Sequence, residues 1–325
     1  MLKPTLLLAP MQAITDSILR GCLTKLGGID ACVSVYARVS QQPLPSHALL
    51  RLCPEMARGG RTDVGTQVLL QLMGGHANLM AETARAGAAA GAVGIDLNFG
   101  CPVARVNSHD GGAALLKDPT RITSIVRAVR DAIPSTIPVS AKLRVGWSSP
   151  QEAPTLAQAV EQGGASMLTM HGRTRLQLYS GPVNWEAIAQ ARHRVSIPVV
   201  ANGDIRTPED LARCAEITGC TRFMIGRGAL ARPELFQVLS NPKNTWWSPS
   251  QRLHWVCSYG DICLSQGLPN GQVVGRVKGI LRYMAADNET IAAVFQRERR
   301  QVAWAALREK LLQAERDAPP VCTST

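Results

Sequence analysis

A few short motifs carry most of the residues capable of chemistry. Cys101 lies in Asp96-Leu97-Asn98-Phe99-Gly100-Cys101-Pro102-Val103, between a glycine and a proline. That pairing turns the chain sharply and presents the sulfur. A thiol so placed can act as a general acid, giving up a proton as charge develops on a nearby carbon. The plainer alternative is inert packing. Lys142, in Val139-Ser140-Ala141-Lys142-Leu143-Arg144, is a cation inside an apolar run. Burying it is costly unless it meets an anion or an electron-rich ring. It suits the pyrimidine edge of a reduced flavin, a Schiff-base amine, or a side chain snorkelling at a rim. His171, in His171-Gly172-Arg173-Thr174, is either a satisfied core histidine or part of a ligand-facing loop. Asn202-Gly203-Asp204 and Gly226-Arg227-Gly228 are glycine turns whose N–H groups, with the Arg227 charge, suit a phosphate.

These motifs share one position, the end of a strand. Apolar runs recur at Leu6–Pro10, Ala31–Val39, Val68–Gly74, Gly94–Cys101, Val139–Val145, Ser166–His171, Val199–Asn202 and Arg222–Gly226. Helical stretches alternate with them, including Asn78–Gly91, Pro119–Ile133, Pro154–Gly163 and Thr207–Thr218. Asp118-Pro119 and Thr207-Pro208 place a capping side chain before a first-turn proline. Eight such alternations predict an α/β fold, a (β/α)8 TIM barrel, whose functional face is the C-terminal end of its strands. Ala9-Pro10-Met11-Gln12 lacks the glycine fingerprint of an open dinucleotide-binding sheet. The predicted barrel covers residues 1–242, a small all-helical C-terminal domain covers 243–316, and 317–325 is a frayed tail. Val273, Val274, Val277, Ile280, Leu281 and Met284 mark one amphipathic helix, and a second is predicted from Thr290 to Ala314.

Composition narrows the function classes. The 325 residues carry a net charge of +11 with 46% hydrophobic residues, enough for an ordinary core and suggestive of a polyanionic partner. No apolar run reaches the roughly 20 residues of a membrane span, and no membrane partner is expected. Nine cysteines, an odd number without a C-x-x-C pair, point to a reducing, cytoplasmic setting and to no metal site.

Taken together, the Asn98–Pro102 strand end, Gly111-Gly112-Ala113-Ala114-Leu115-Leu116, Lys142-Leu143-Arg144-Val145-Gly146-Trp147, His171–Thr174, Ala201-Asn202-Gly203-Asp204-Ile205 and Met224-Ile225-Gly226-Arg227-Gly228-Ala229 resemble the tRNA-dihydrouridine synthases. The resemblance spans nearly the whole chain. It implies an FMN-binding barrel and a helical tRNA-binding domain, with NADPH (or NADH) reducing the flavin, which then reduces a D-loop uracil. Carried over, Cys101 is the proton donor. Pro10, Met11, Gln12, Gln71, Lys142, His171, Asn202, Gly203, Asp204, Gly226 and Arg227 hold FMN, and Asn98 helps place the uracil. Within the family the chain looks most like the bacterial C-type branch, which acts at uridine 16. Arg38, Tyr179, Arg276, Lys278, Tyr283 and Arg299 carry that likeness as tRNA-binding residues. The last four otherwise read as a solvated helix face. Phe99 stands where other members often carry Met or Cys. Arg105 is the nearest basic residue after Cys101-Pro102, one position past Ala104. No obligate protein partner is implied. Three rivals remain: an FMN barrel acting on a small molecule, an RNA-binding protein without catalysis, and an aldolase using Lys142 as its Schiff base.

Overall fold

A computed structural model describes residues 3–103, 111–241 and 243–317. Its strands are β1 (Thr5–Leu8), β2 (Ala31–Val33), β3 (Ala37–Arg38), β4 (Gln67–Met73), β5 (Ile95–Asn98), β6 (Val139–Arg144), β7 (Met167–His171), β8 (Val199–Asn202) and β9 (Arg222–Ile225). Every ladder is parallel, in the order β2-β1-β9-β8-β7-β6-β5-β4-β3, and β2 also pairs with β4, which closes the ring. The short β3 joins the far end of β4 at Leu72 and Met73, so the circuit has eight positions and is a TIM barrel. The run Ala31–Val39, expected as one strand, is therefore interrupted. Ser34 is the reason: its hydroxyl accepts from Gln71 N at 3.0 Å, taking a ladder bond that a backbone carbonyl would otherwise hold.

Helices α1 (Ser17–Leu26), α2 (Ser46–Leu52), α3 (Ala77–Ala89), α4 (Pro119–Ala132), α5 (Ala153–Gln162), α6 (Trp185–Arg192) and α7 (Pro208–Thr218) fall between the strands. α4 starts where Asp118 Oδ1 accepts from Arg121 N at 3.0 Å, and it buries Ile122, Ile125, Val126 and Val129 along one stripe. Thr207 caps α7 in the same way, its hydroxyl accepting from Asp210 N at 3.2 Å.

Strand alternation divides the barrel interior. Leu7, Ala9, Val33, Leu69, Val200 and Met224 pack into one apolar cluster. On β4 to β8 the register brings Gln71 beside Asp96, Asp96 beside Ser140, Asn98 beside Lys142, and His171 beside both Arg144 and Asn202. One side of the interior is thus polar at the strand ends.

The chain groups into two compact units. One comprises the chain to Arg20 and Ile29–Ile225; the other comprises Gly21–Gly28 and the chain from Gly226 onward. Composition alone places the division after residue 242. The earlier boundary has a cause: the short helices α8 (Arg227–Ala231) and α9 (Leu235–Ser240) are bound to the C-terminal part of the chain. Glu234 accepts from Arg252 at 2.6 Å with both side chains buried, and Arg232 pairs with Asp287 at 2.5 Å. Gly28, at φ +81°, packs so closely on Phe236 that a Cβ would lie 2.3 Å from its carbonyl oxygen.

The second unit continues with α10 (Pro249–Ser265), α11 (Asn270–Ala285), α12 (Glu289–Glu298) and α13 (Trp304–Asp317). A single helix from Thr290 to Ala314 does not form; α12 and α13 divide it. Lys278 Nζ donates to the carbonyls of Arg299 (2.7 Å) and Gln301 (2.5 Å), and Asn270 Oδ1 accepts from Trp304 N at 2.9 Å. Those bonds end one helix and start the next. Asp317, assigned to the tail by the sequence, is the last residue of α13; 318–325 lie outside the described residues. No helix among the described residues is long and apolar enough to cross a membrane.

Candidate active site

Cys101 comes three residues after the end of β5, and its turn is built by side chains. Asn98 Oδ1 accepts from both Gly100 N and Cys101 N at 3.0 Å, while Ala113 N donates to the Cys101 carbonyl at 3.1 Å. Asn98 Nδ2 donates to Gln71 Oε1 (2.9 Å), and Gln71 Nε2 donates to Asp96 Oδ2 (2.7 Å). Ser140 Oγ donates to the other Asp96 oxygen at 2.6 Å. Burial raises the Asp96 carboxyl above the usual range, opposed by the Ser140 and Gln71 hydrogen bonds and the Lys142 charge.

Among the eight described cysteines, all free, Cys101 alone is partly exposed. Burial pushes the thiols of Cys32, Cys53, Cys214 and Cys257 up to about 12. The Cys101 sulfur lies 4.0 Å from the hydroxyl of Tyr36, in the interrupted stretch between β2 and β3. Burial, then Cys101 itself, pushes the Tyr36 hydroxyl up to about 12.

Lys142 Nζ donates to Asn202 Oδ1 at 3.1 Å, and Asn202 Nδ2 donates to the Met224 carbonyl at 2.7 Å. The second bond fixes which end of the amide faces the lysine. Burial, then the Arg144 guanidinium, lowers the Lys142 ammonium to about 8; Asp96 opposes this. His171 is buried and is the register partner of Asn202. A desolvated ammonium held against an amide suits the oxygens of an electron-rich ring. The next turn puts Gly203 at φ +132° and Asp204 at φ +49°. Asp204, expected to hold a cofactor, has its carboxylate paired with buried Arg173. Only its backbone is suited to an anion. Gln71, also expected to hold a cofactor, is fully buried, its amide engaged at both ends by Asn98 and Asp96.

Arg144 belongs to a motif the sequence singles out, but sequence reasoning gives it no role at the site. Its Nε donates to the Gly100 carbonyl (2.9 Å) and its Nη1 to the carbonyls of Thr174 (2.9 Å) and Leu178 (2.6 Å). The guanidinium also lies 5.2 Å from the centre of the Tyr179 ring. It fastens the Cys101 turn to the loop after β7. Its inward place on β6, two residues past Lys142, is the available signal.

The other expected residues are spread over both units. Pro10, Met11 and Gln12 form the turn after β1, where Met11 N donates to Thr15 Oγ1 at 2.7 Å. Arg38 is half-buried on β3, and Tyr179 is 57% exposed beside exposed Leu176 and Leu178. Gly226 and Arg227 come directly after β9 and begin the longer segment of the second unit. There Arg276 and Tyr283 are half-buried and Arg299 is exposed at the end of α12. Lys278, expected on tRNA, spends its ammonium on the Arg299 and Gln301 carbonyls. Phe99 is fully buried, a packing residue. Arg105 lies outside the described residues.

Residues 7–306 match the family model for dihydrouridine synthase (Dus). The chain is 41% identical to the tRNA-dihydrouridine(16) synthase of Haemophilus influenzae over 293 residues, 90% of this chain and 94% of that protein. It is 46% identical to the tRNA-dihydrouridine(16) synthase of Pseudomonas syringae pv. tomato over 233 residues, 72% of this chain and 74% of that protein. Among solved structures, TcOYE with pHBA superposes at a TM-score of 0.53 and 12% identity, covering 74% of this chain and 90% of that one. A morphinone reductase mutant in complex with tetrahydroNAD gives 0.51 and 12%, covering 72% and 86%. These two likenesses concern the barrel fold.

Proposed function

The chain belongs to the dihydrouridine synthase family, and from that premise we propose that it acts at uridine 16 of the tRNA D-loop with NADPH as reductant. It is a flavin-dependent oxidoreductase that reduces uridine in tRNA to 5,6-dihydrouridine. The observation that carries the residue assignment is the Cys101 turn: one partly exposed thiol, held by Asn98 at the end of β5, in a chain whose other described thiols are buried.

Bound flavin supplies the hydride for one carbon of the uracil double bond. Cys101 supplies a proton to the adjacent carbon from the opposite face, as a general acid. Lys142, held by Asn202, keeps an ammonium where negative charge collects and serves as a cation, not a Schiff-base amine. His171, the backbone at Gly203 and Asp204, and the turn Pro10–Gln12 are the further cofactor-holding groups; Gly226 and Arg227 are assigned to the phosphate. Asn98 places the uracil with its second amide N–H. The base must leave its stack to reach this site, which costs about a few kcal/mol. Phosphate contacts offset that cost, and Arg276 and Arg299 are assigned to them. Arg38, and Tyr179 steadied by Arg144, flank the substrate. We assign the barrel to catalysis and the helical unit to tRNA binding, in the cytoplasm.

The test is to map dihydrouridine in tRNA from cells lacking the chain and from cells regaining it. Loss and return at position 16 is the expected result, and loss at another uridine overturns the position while sparing the reaction. Comparing flavin reduction by NADPH and by NADH decides the reductant.

A further inference from the structure

The three side chains behind Cys101 form a line with a direction. A side-chain amide has a donating and an accepting end of nearly equal shape, so turning it by half a revolution exchanges them with little steric effect. Asn98 must offer oxygen, not nitrogen, to Gly100 N and Cys101 N. It does so while its nitrogen finds an acceptor, which is Gln71 Oε1. Gln71 offers that oxygen while its own nitrogen finds an acceptor in turn, which is Asp96 Oδ2. Asp96 ends the line with two accepting oxygens, the second held by Ser140. Asp96 and Asn98 share the inward face of β5, and Gln71 stands opposite on β4.

We propose that Asp96 is a positioning residue for the reaction: through Gln71 it sets which end of Asn98 faces the Cys101 turn, and so fixes the thiol. The proposal rests on Cys101 as the proton donor. Asp96 touches neither sulfur nor substrate; it acts by polarity passed along two amides. A half-satisfied buried line is unstable, so reversing one member must reverse all of them.

That requirement supplies the test. Asn98→Asp puts an acceptor against Gln71 Oε1, and Gln71 cannot turn because it would then oppose Asp96. Adding Asp96→Asn lets the line run in reverse. The new amide at position 96 donates to Gln71 Oε1, and Gln71 donates to the new carboxylate at position 98, which still accepts from the turn. In the flavin-loaded protein at pH 8, Asn98→Asp should speed hydrogen exchange at the Gly100 and Cys101 amides at least about tenfold. The pair Asn98→Asp with Asp96→Asn should return within about threefold of the starting protein. Asp96→Asn alone should stay within about threefold, because the Ser140 hydroxyl can turn to accept. With Gln71→Met present, Asp96→Asn should rescue nothing.

Absence of rescue overturns the proposal. So does rescue that persists with Gln71→Met, which would mean that two carboxylates repel without any line between them. If Asn98→Asp does not fold, recovery of folding in the pair is the supporting result and failure of the pair the overturning one. Cys101→Ala, assayed for flavin reoxidation by tRNA, tests the underlying reading separately: unchanged reoxidation removes the thiol's role and leaves the exchange results standing.

Discussion

The barrel mouth and the helical unit both carry clusters that suggest function, yet they hold them differently. At the mouth, Cys101, Asn98, Gln71 and Asp96 bond to one another in sequence, and Lys142 is fixed through Asn202. In the helical unit Arg299 is exposed, Arg276 is half-buried, and Lys278 clasps the end of α12. A side chain facing into a barrel has few places to go, so its role derives from its register. A basic residue on a helix can serve a ligand or its own fold, and spacing alone does not separate the two.

The largest effect that sharpens this contrast is at the thiol. Cys101→Ala should slow tRNA-dependent flavin reoxidation by about 10²–10⁴-fold while leaving flavin content intact. Stopped-flow absorbance of the flavin checks it. Lys142 comes next. Its ammonium is present below about pH 8 and neutral above, so flavin affinity of the apoprotein should weaken as pH rises through that value. Lys142→Met should cost about 10–100-fold in affinity at pH 7 and flatten the pH dependence, measured by fluorescence titration. In the helical unit, Arg276→Glu with Arg299→Glu should weaken tRNA binding about tenfold or more and reduce its salt slope by about 2, with flavin content unchanged. Lys278→Met should do the reverse: little change in salt slope, and a loss of about 1–2 kcal/mol in urea unfolding. If Lys278→Met lowered the salt slope as the arginine pair does, the distinction between clasp and contact would break down.

Much of the barrel is legible in the chain because each strand announces itself and its end. The runs at Val139–Val145 and Val199–Asn202 match strands within a residue, and Lys142, Asn202 and Cys101 lie at or near strand ends as expected. What the chain does not reveal is which bonds cross between strands. The Gln71–Asp96 and Ser140–Asp96 contacts join residues 25 and 44 positions apart, and only register brings them together. Gln71 therefore reads in sequence as a cofactor contact with no sign of its bonds to Asn98 and Asp96, and Arg144 shows its inward place on β6 but not the two loops it fastens. The break at 299–303 is not predicted from the sequence because the helix there is ended by Lys278, a residue on another helix.

The second unit also has a consequence for how the protein is made. Gly21–Gly28 belongs with helices that begin after residue 225, and the Gln237 amide donates to the Leu26 carbonyl. β1 likewise finds one of its two neighbours only in β9. A nascent chain leaving the ribosome must therefore leave Gly21–Gly28 and one edge of β1 without their partners until about two hundred more residues have emerged, a long interval in which unpaired edges invite wrong partners. Cutting the gene after codon 225 would yield two pieces, each lacking something the other encodes.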